Sequence, residues 1–124
     1  MSLTNAWETI VARWLFTAGS VSRPLSWSVG LFTVSPGEAG AGTEVSGVYY
    51  VRQAVTFTVS GNVATNAGAL QWPVAGSNWG TVTHVGVFDN AGSLIGYGAL
   101  ATPRAVPLGE SLRIPAGDLD ITVE

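Results

Sequence analysis

Histidine occurs once in this chain, at position 84, so any Ser/His/Asp, Cys/His or imidazole–metal arrangement has to run through it. His84 sits between Thr83 and Val85 in a run with strand character, and no G-x-S-x-G is present to hold a nucleophile on a strained turn. It reads as a packed or hydrogen-bonded sheet residue. Asp118 and Asp120 lie two apart, which brings both carboxylates to one face of a strand. The same pattern is that of a solvated strand edge protected against pairing. A Ca²⁺ site needs six to eight oxygens, and no loop here supplies them; a glycosidase needs two acids across a cleft, and the sequence places no pair that way. Gly96-Tyr97-Gly98 falls inside a strand rather than between a strand and a helix, so it marks a bulge or a close backbone approach and not a phosphate loop. No catalytic, cofactor-binding or metal-binding residue is assigned, and the chain is expected not to be an enzyme.

Composition narrows the classes further. With 124 residues the chain is expected to form one domain, residues 1–124, large enough to bury a core without staples. Charged residues make up 10% of it against roughly 25% in soluble domains, while 47% is apolar, so much of the surface is either small and polar or covered by a partner. The cations are all Arg, five against eight acids, giving a net charge of −3 and no basic stripe for phosphate neutralisation. No nucleic acid is expected as partner. The absence of Cys excludes disulfides and thiolate metal sites. The apolar runs fall short of the ~20 residues that span a bilayer, and the first residues lack the order of a signal peptide, so no membrane association is expected.

The elements that must position these residues are mostly strands. One helix is expected over residues 5–18, capped by Asn5 with Glu8 three residues on, and carrying Trp7, Ile10, Val11, Trp14, Leu15 and Ala18 on one face. That stripe either caps the domain's own core or docks onto a neighbouring subunit. Residues 25–34 read as a strand with Trp27, Val29 and Leu31 on one face and Ser26, Ser28 and Gly30 on the other. Residues 35–43, SPGEAGAGT, read as a mobile loop. Residues 49–59 read as one strand, and 69–72 as a short one ended by Pro73. Residues 80–100 read as a β-hairpin about Asp89-Asn90-Ala91-Gly92, with Val82, His84, Gly86 and Phe88 on one face. Thr102-Pro103 is expected to break the sheet, and residues 118–124 to form a last strand with Leu119, Ile121 and Val123 facing in. The sum is a mainly β chain, an antiparallel β-sandwich or jelly roll of seven or eight strands over residues 25–124 with one N-terminal α-helix.

Three stretches carry a resemblance. EVSGVYYVRQAVTF (residues 44–57), WGTVTHVGVFDNAGSLIGYGAL (79–100) and TPRAVPLGESLRIPAGDLDITV (102–123) resemble a family of short tailed-bacteriophage virion proteins described as tail-fibre-like. The family shares an E-V-S-G segment followed by R-Q, a W-G-T-x-T-H-x-G-x-[FY]-D hairpin, a Y-G-x-L return and a T-P-[KR]-x-V ending. Val48-Tyr49-Tyr50 departs from it, replacing a more glycine-rich or single-tyrosine stretch. The resemblance implies a structural component of the virion. The favoured expectation is a capsid decoration (cement) protein on the capsid surface, binding over joints of the major capsid protein and associating with copies of itself as a homotrimer. The alternative is a tail-fibre or tail-tip component in contact with other tail proteins or the host surface. The interface candidates are Trp7, Trp14, Glu38, Arg52 and Arg104, each of which also has a plain reading as core, solvent loop or surface charge.

Overall fold

The computed structural model describes residues 2–21 and 23–122. In chain order its elements are β1 (Ser2–Leu3), α1 (Asn5–Phe16), β2 (Trp27–Val34), β3 (Thr43–Glu44), β4 (Gln53–Val55), β5 (Phe57–Ser60), β6 (Val63–Asn66), β7 (Leu70–Gln71), β8 (Thr81–Asp89), β9 (Leu94–Ala105), β10 (Arg113–Ile114) and β11 (Asp120–Thr122). A six-stranded sheet runs β1-β9-β8-β2-β3, with β4 also paired to β2; a three-stranded sheet runs β11-β6-β5, and β10 pairs β7. Every pairing is antiparallel. The expected mainly β architecture with a single short N-terminal helix is therefore what the chain adopts.

The core lies between the sheets. Val29 and Leu31 of β2 and Val85 and Val87 of β8 face Leu70, Ile114 and Ile121 of the smaller sheets, with Trp72 and Trp79 filling the space between. Alternation explains β2 as expected, but not all of β8. Val82 is fully buried in this core together with Val85, although the two differ in parity. The break in alternation coincides with a break in register: Val82 pairs Arg104 and His84 pairs Ala99, so Thr83 alone stands opposite residues 100–103 of β9, a bulge of four residues against one. The bulge also corrects the expectation that Thr102-Pro103 ends the sheet. β9 arches away and returns to pair Thr81 at Ala105.

The run 49–59 is not one strand. β4 pairs β2 in the large sheet whereas β5 pairs β6 in the smaller one, so the chain changes sheet at Thr56. Tyr49 adopts a left-handed backbone, φ 67°, with its side chain exposed, and so belongs to a turn. The hairpin tip does follow its residue types. Asp89 Oδ1 accepts from the Ala91 and Ser93 N–H groups at 2.9 and 2.8 Å, and Gly92 takes φ 85°.

Three local expectations are corrected. The helix cap is Thr4, not Asn5, and its hydroxyl makes no cap bond, donating instead to the Leu94 carbonyl at 2.9 Å. The helix ends at Phe16 rather than at residue 18. Residues 35–43 form a hydrogen-bonded turn rather than a loose loop: Ala41 N–H donates to the Pro36 carbonyl, Pro36 is buried, and the Glu38 carbonyl accepts from Asn5 N–H. At the last strand, Leu119 and Ile121 are buried as expected, and Val123 lies outside the described residues.

On the outer face of the large sheet, Gly30 of β2 pairs directly with Gly86 of β8. A Cβ on Gly30 would come within 2.9 Å of Phe88 Cε2, and one on Gly86 within 2.8 Å of Phe32 Cε1. Each phenyl thus covers the glycine of the facing strand, and the two rings stack at 6.1 Å and 13°. Gly30→Ala is expected to destabilise the fold by about 1–2 kcal/mol, since its Cβ would also meet Glu44 Oε2 at 2.6 Å. Urea denaturation reads this as a lower midpoint at unchanged slope.

Candidate functional site

The outer face carries the densest polar constellation among the described residues. Glu44 of β3 is placed opposite Phe32 by strand register, and Arg52 reaches it from the segment leading into β4. Arg52 Nε donates to Glu44 Oε2 at 2.9 Å and its Nη2 to Oε1 at 2.8 Å, a two-point pair. The guanidinium lies 3.5 Å above the Phe88 ring centroid. Tyr50 completes the group: its hydroxyl accepts from Leu31 N–H at 2.9 Å and donates to Glu44 Oε2 at 2.6 Å. Burial pushes the Glu44 carboxyl up, but hydrogen bonds from Arg52 and Tyr50 and the Arg52 charge outweigh it, holding the carboxyl below its ordinary value. Burial, reinforced by the bond to Glu44, holds the Tyr50 phenol well above its own. Both Glu44 oxygens and the Tyr50 hydroxyl are engaged within the cluster, so its chemistry is to clamp β3 and the 50–52 segment onto the β2–β8 sheet.

The other singled-out residues are dispersed. His84 Nδ1 is 2.8 Å from Thr83 Oγ1, a contact between neighbours in β8. Trp7 is half-buried and Trp14 exposed on α1, a helix that buries none of its residues; Leu15 and Phe16 are exposed as well, Phe16 at 83%. Glu38 accepts from the Tyr97 hydroxyl at 2.8 Å and so ties the 35–43 turn to β9. Arg52 belongs to the clamp just described. Residue-type reasoning did not single out Glu44, Tyr50 or Phe88 as its partners. The available signal was that Glu44 and Arg52 stand in the E-V-S-G and R-Q segments, eight residues apart across a turn.

Arg104, Asp118 and Asp120 are brought together. They line a cleft of about 460 Å³ between β9 and the β10–β11 region, joined there by Arg113. Its floor is apolar, with Val85, Leu112 and Leu119 each 5% exposed or less. Residues 100–102 of the β9 bulge form one wall. Asp120 Oδ1 accepts from Thr65 Oγ1 at 2.8 Å. No group of three or more His, Asp or Glu side chains among the described residues is arranged to hold a metal ion.

The model of one protein family, described as Podophage GP4 fiber I protein gp80, matches residues 2–122. The chain belongs to that family. No curated protein matches it. Membership makes this a structural protein of the phage virion, in a tail-fibre family, and agrees with the resemblance carried by the three sequence stretches. It favours the tail-fibre alternative over the capsid-cement expectation, because the family is described by its fibre. The matched range takes in α1, the Glu44–Arg52 clamp and the cleft alike.

Proposed function

We propose that this chain is a subunit of a podophage tail fibre and joins copies of itself through the apolar face of α1. The fibre assignment is supported by the family match over residues 2–122. The contact is supported by α1 itself, which leaves the sheet at Thr4, keeps Trp14, Leu15 and Phe16 exposed and buries none of its residues. An amphipathic helix draws most of its stability from packing its apolar face, and α1 packs only part of that face inside the domain, with Trp7, Ile10 and Val11 half-buried and Trp14, Leu15 and Phe16 left exposed. Area points the same way. The chain exposes 6951 Å², whereas a compact monomer of its mass exposes roughly 6,300 Å². The excess approaches the roughly 800 Å² that one partner contributes to a standard interface.

Two measurements test this. Antibody labelling of intact particles is expected to mark the tail fibres; label on the head surface overturns the assignment. Light scattering on the purified chain is expected to give an oligomer that falls to monomer in the double variant Trp14→Glu/Phe16→Glu. The variant should still unfold in one cooperative thermal transition, because neither side chain contributes to the core. A parent chain that is monomeric at high concentration removes the self-contact.

A further inference from the structure

We infer that the N-terminal arm, β1 with α1, is exchanged between two copies of this chain, so that the arm of one copy occupies the β9 edge of the other. The inference rests on the self-contact proposed through α1 and names how that contact is made.

The arm has a specific root and a sparsely packed end. At the root, Ser2 and Leu3 pair Tyr97 and Gly96 of β9, Thr4 N–H donates to the Ile95 carbonyl at 2.8 Å, and Asn5 N–H donates to the Glu38 carbonyl at 3.0 Å. Thr4 is 3% exposed there, with its hydroxyl bonded to the Leu94 carbonyl. These bonds seat the arm in one short socket, residues 94–97 with Glu38 beside them. An identical socket on a second copy offers every one of them again. Beyond the root, the helix holds no fully buried residue.

The connection back to the domain is equally slight. Residues 17–26 join α1 to β2, and where described they form neither helix nor strand. Among the described residues, their one hydrogen bond to the body of the domain runs from Leu25 N–H to Asn90 Oδ1 at 3.1 Å. A connection of this length reaches roughly 33–36 Å when extended, whereas a compact chain of this size has a radius of gyration of roughly 14 Å. The arm therefore has the reach to fill the socket of an adjoining copy.

Identical bonds do not by themselves favour exchange, because an arm tethered beside its own socket acts at an effective concentration on the order of millimolar. Exchange needs a contact that the single chain lacks, and the exposed apolar side chains supply it. Phe16 at 83% and Leu25 at 81% are the most exposed large hydrophobic residues described, and they stand at the two ends of the connection. In an exchanged pair the two connections cross at the two-fold axis, which brings these ends together with Trp14 and Leu15 of both helices. The same side chains that leave α1 unpacked in one chain then cover one another.

The chain has no cysteine, so a thiol pair placed across the root reports which copy the arm sits on. Ser2 and Tyr97 are directly opposed in an antiparallel pair, where Cα atoms lie roughly 4.5–5.5 Å apart, a separation that a disulfide spans. The whole chain carrying Ser2→Cys/Tyr97→Cys is oxidised with glutathione disulfide and run on a non-reducing denaturing gel. Most of it is expected at twice the 12.8 kDa of the single chain, returning to that mass on reduction. Thiols lost at single-chain mass overturn the exchange, and so do thiols that persist, since the arm then occupies neither socket. A second preparation keeps the test independent of how the double variant folds: Ser2→Cys chains are co-expressed with mass-tagged Tyr97→Cys chains. Linked dimers of mixed mass are expected to dominate, and their absence overturns the exchange. Light scattering on the parent separates the two readings. An oligomeric parent whose double variant links at single-chain mass loses the exchange and keeps the α1 contact, whereas a monomeric parent loses both.

Discussion

Trp79→Ala is expected to destabilise the fold by about 3–5 kcal/mol, a large share of the roughly 5–15 kcal/mol that holds a domain of this size together. Three separate contacts converge on this indole. It is 4% exposed within the core, its Nε1 donates to the Val48 carbonyl at 3.0 Å, and Tyr50 meets it edge-on at 5.5 Å. The absence of a side chain at Gly47 makes room for it, since a Cβ there would lie 2.7 Å from Trp79 Nε1. Removing the ring leaves a cavity among residues already committed to other contacts, and frees the 47–50 turn that delivers Tyr50 to Glu44. Urea denaturation followed by far-UV circular dichroism measures the loss. Trp79→Phe separates its parts: it keeps most of the packing and lacks the N–H, and should cost about 1–2 kcal/mol. A midpoint for Trp79→Ala within error of the parent would mean that Trp79 does not anchor the turn.

What could be read along the chain was what local chemistry decides. The Asp89–Gly92 tip formed because Asp accepts from the backbone two and four residues on and Gly takes positive φ, both properties of the residues themselves. The β2 faces followed for the same reason, because no insertion interrupts the alternation from Trp27 to Leu31. Val82 escaped because it lies where the β8–β9 register breaks, and an irregularity of pairing is not recorded in the residue types of β8. The change of sheet at Thr56 is likewise invisible locally, since β4 and β5 share one continuous alternation and differ only in their partners. Thr4 replaced Asn5 as the cap because the Thr4 backbone N–H is already bound to the Ile95 carbonyl, a tertiary contact that fixes where the helix starts.

The same division holds at the sites. Arg52 stood out as a rare cation, yet its role depends on Glu44 and Phe88, which come from two other elements. Arg104 and the Asp118/Asp120 pair were legible singly, and only the β9 bulge makes them neighbours of one cleft. The outer face of the large sheet shows how the levels connect. Two glycines permit two phenyl rings to lie over the backbone, one of those rings supports a guanidinium, and the guanidinium fixes the carboxylate of a two-residue strand too short to hold its own position.

Breaking that last link should be the second large effect. Arg52→Ala is expected to cost about 2–3 kcal/mol at neutral pH, from the lost two-point bond, the lost contact over Phe88, and a half-buried carboxylate left with Tyr50 alone. Its guanidinium is about a third exposed, which keeps the figure below that of a fully buried pair. Glu44→Gln gives the pH signature. Burial raises the Glu44 pKa, but the bonds from Arg52 and Tyr50 and the charge of Arg52 bring it below the ordinary carboxylate value. A depressed folded-state pKa means that the unfolded chain takes up the proton first. The stability from Glu44 is therefore fully present above the unfolded value of about 4.3 and is lost as pH falls through the folded one. Wild type should exceed Glu44→Gln in stability between pH 6 and 8, and the gap should narrow as pH falls below about 4.5, where other carboxylates titrate equally in both proteins. Urea midpoints measured across that range decide it. A gap that stays constant to pH 3 would show that shape rather than charge holds β3 in place.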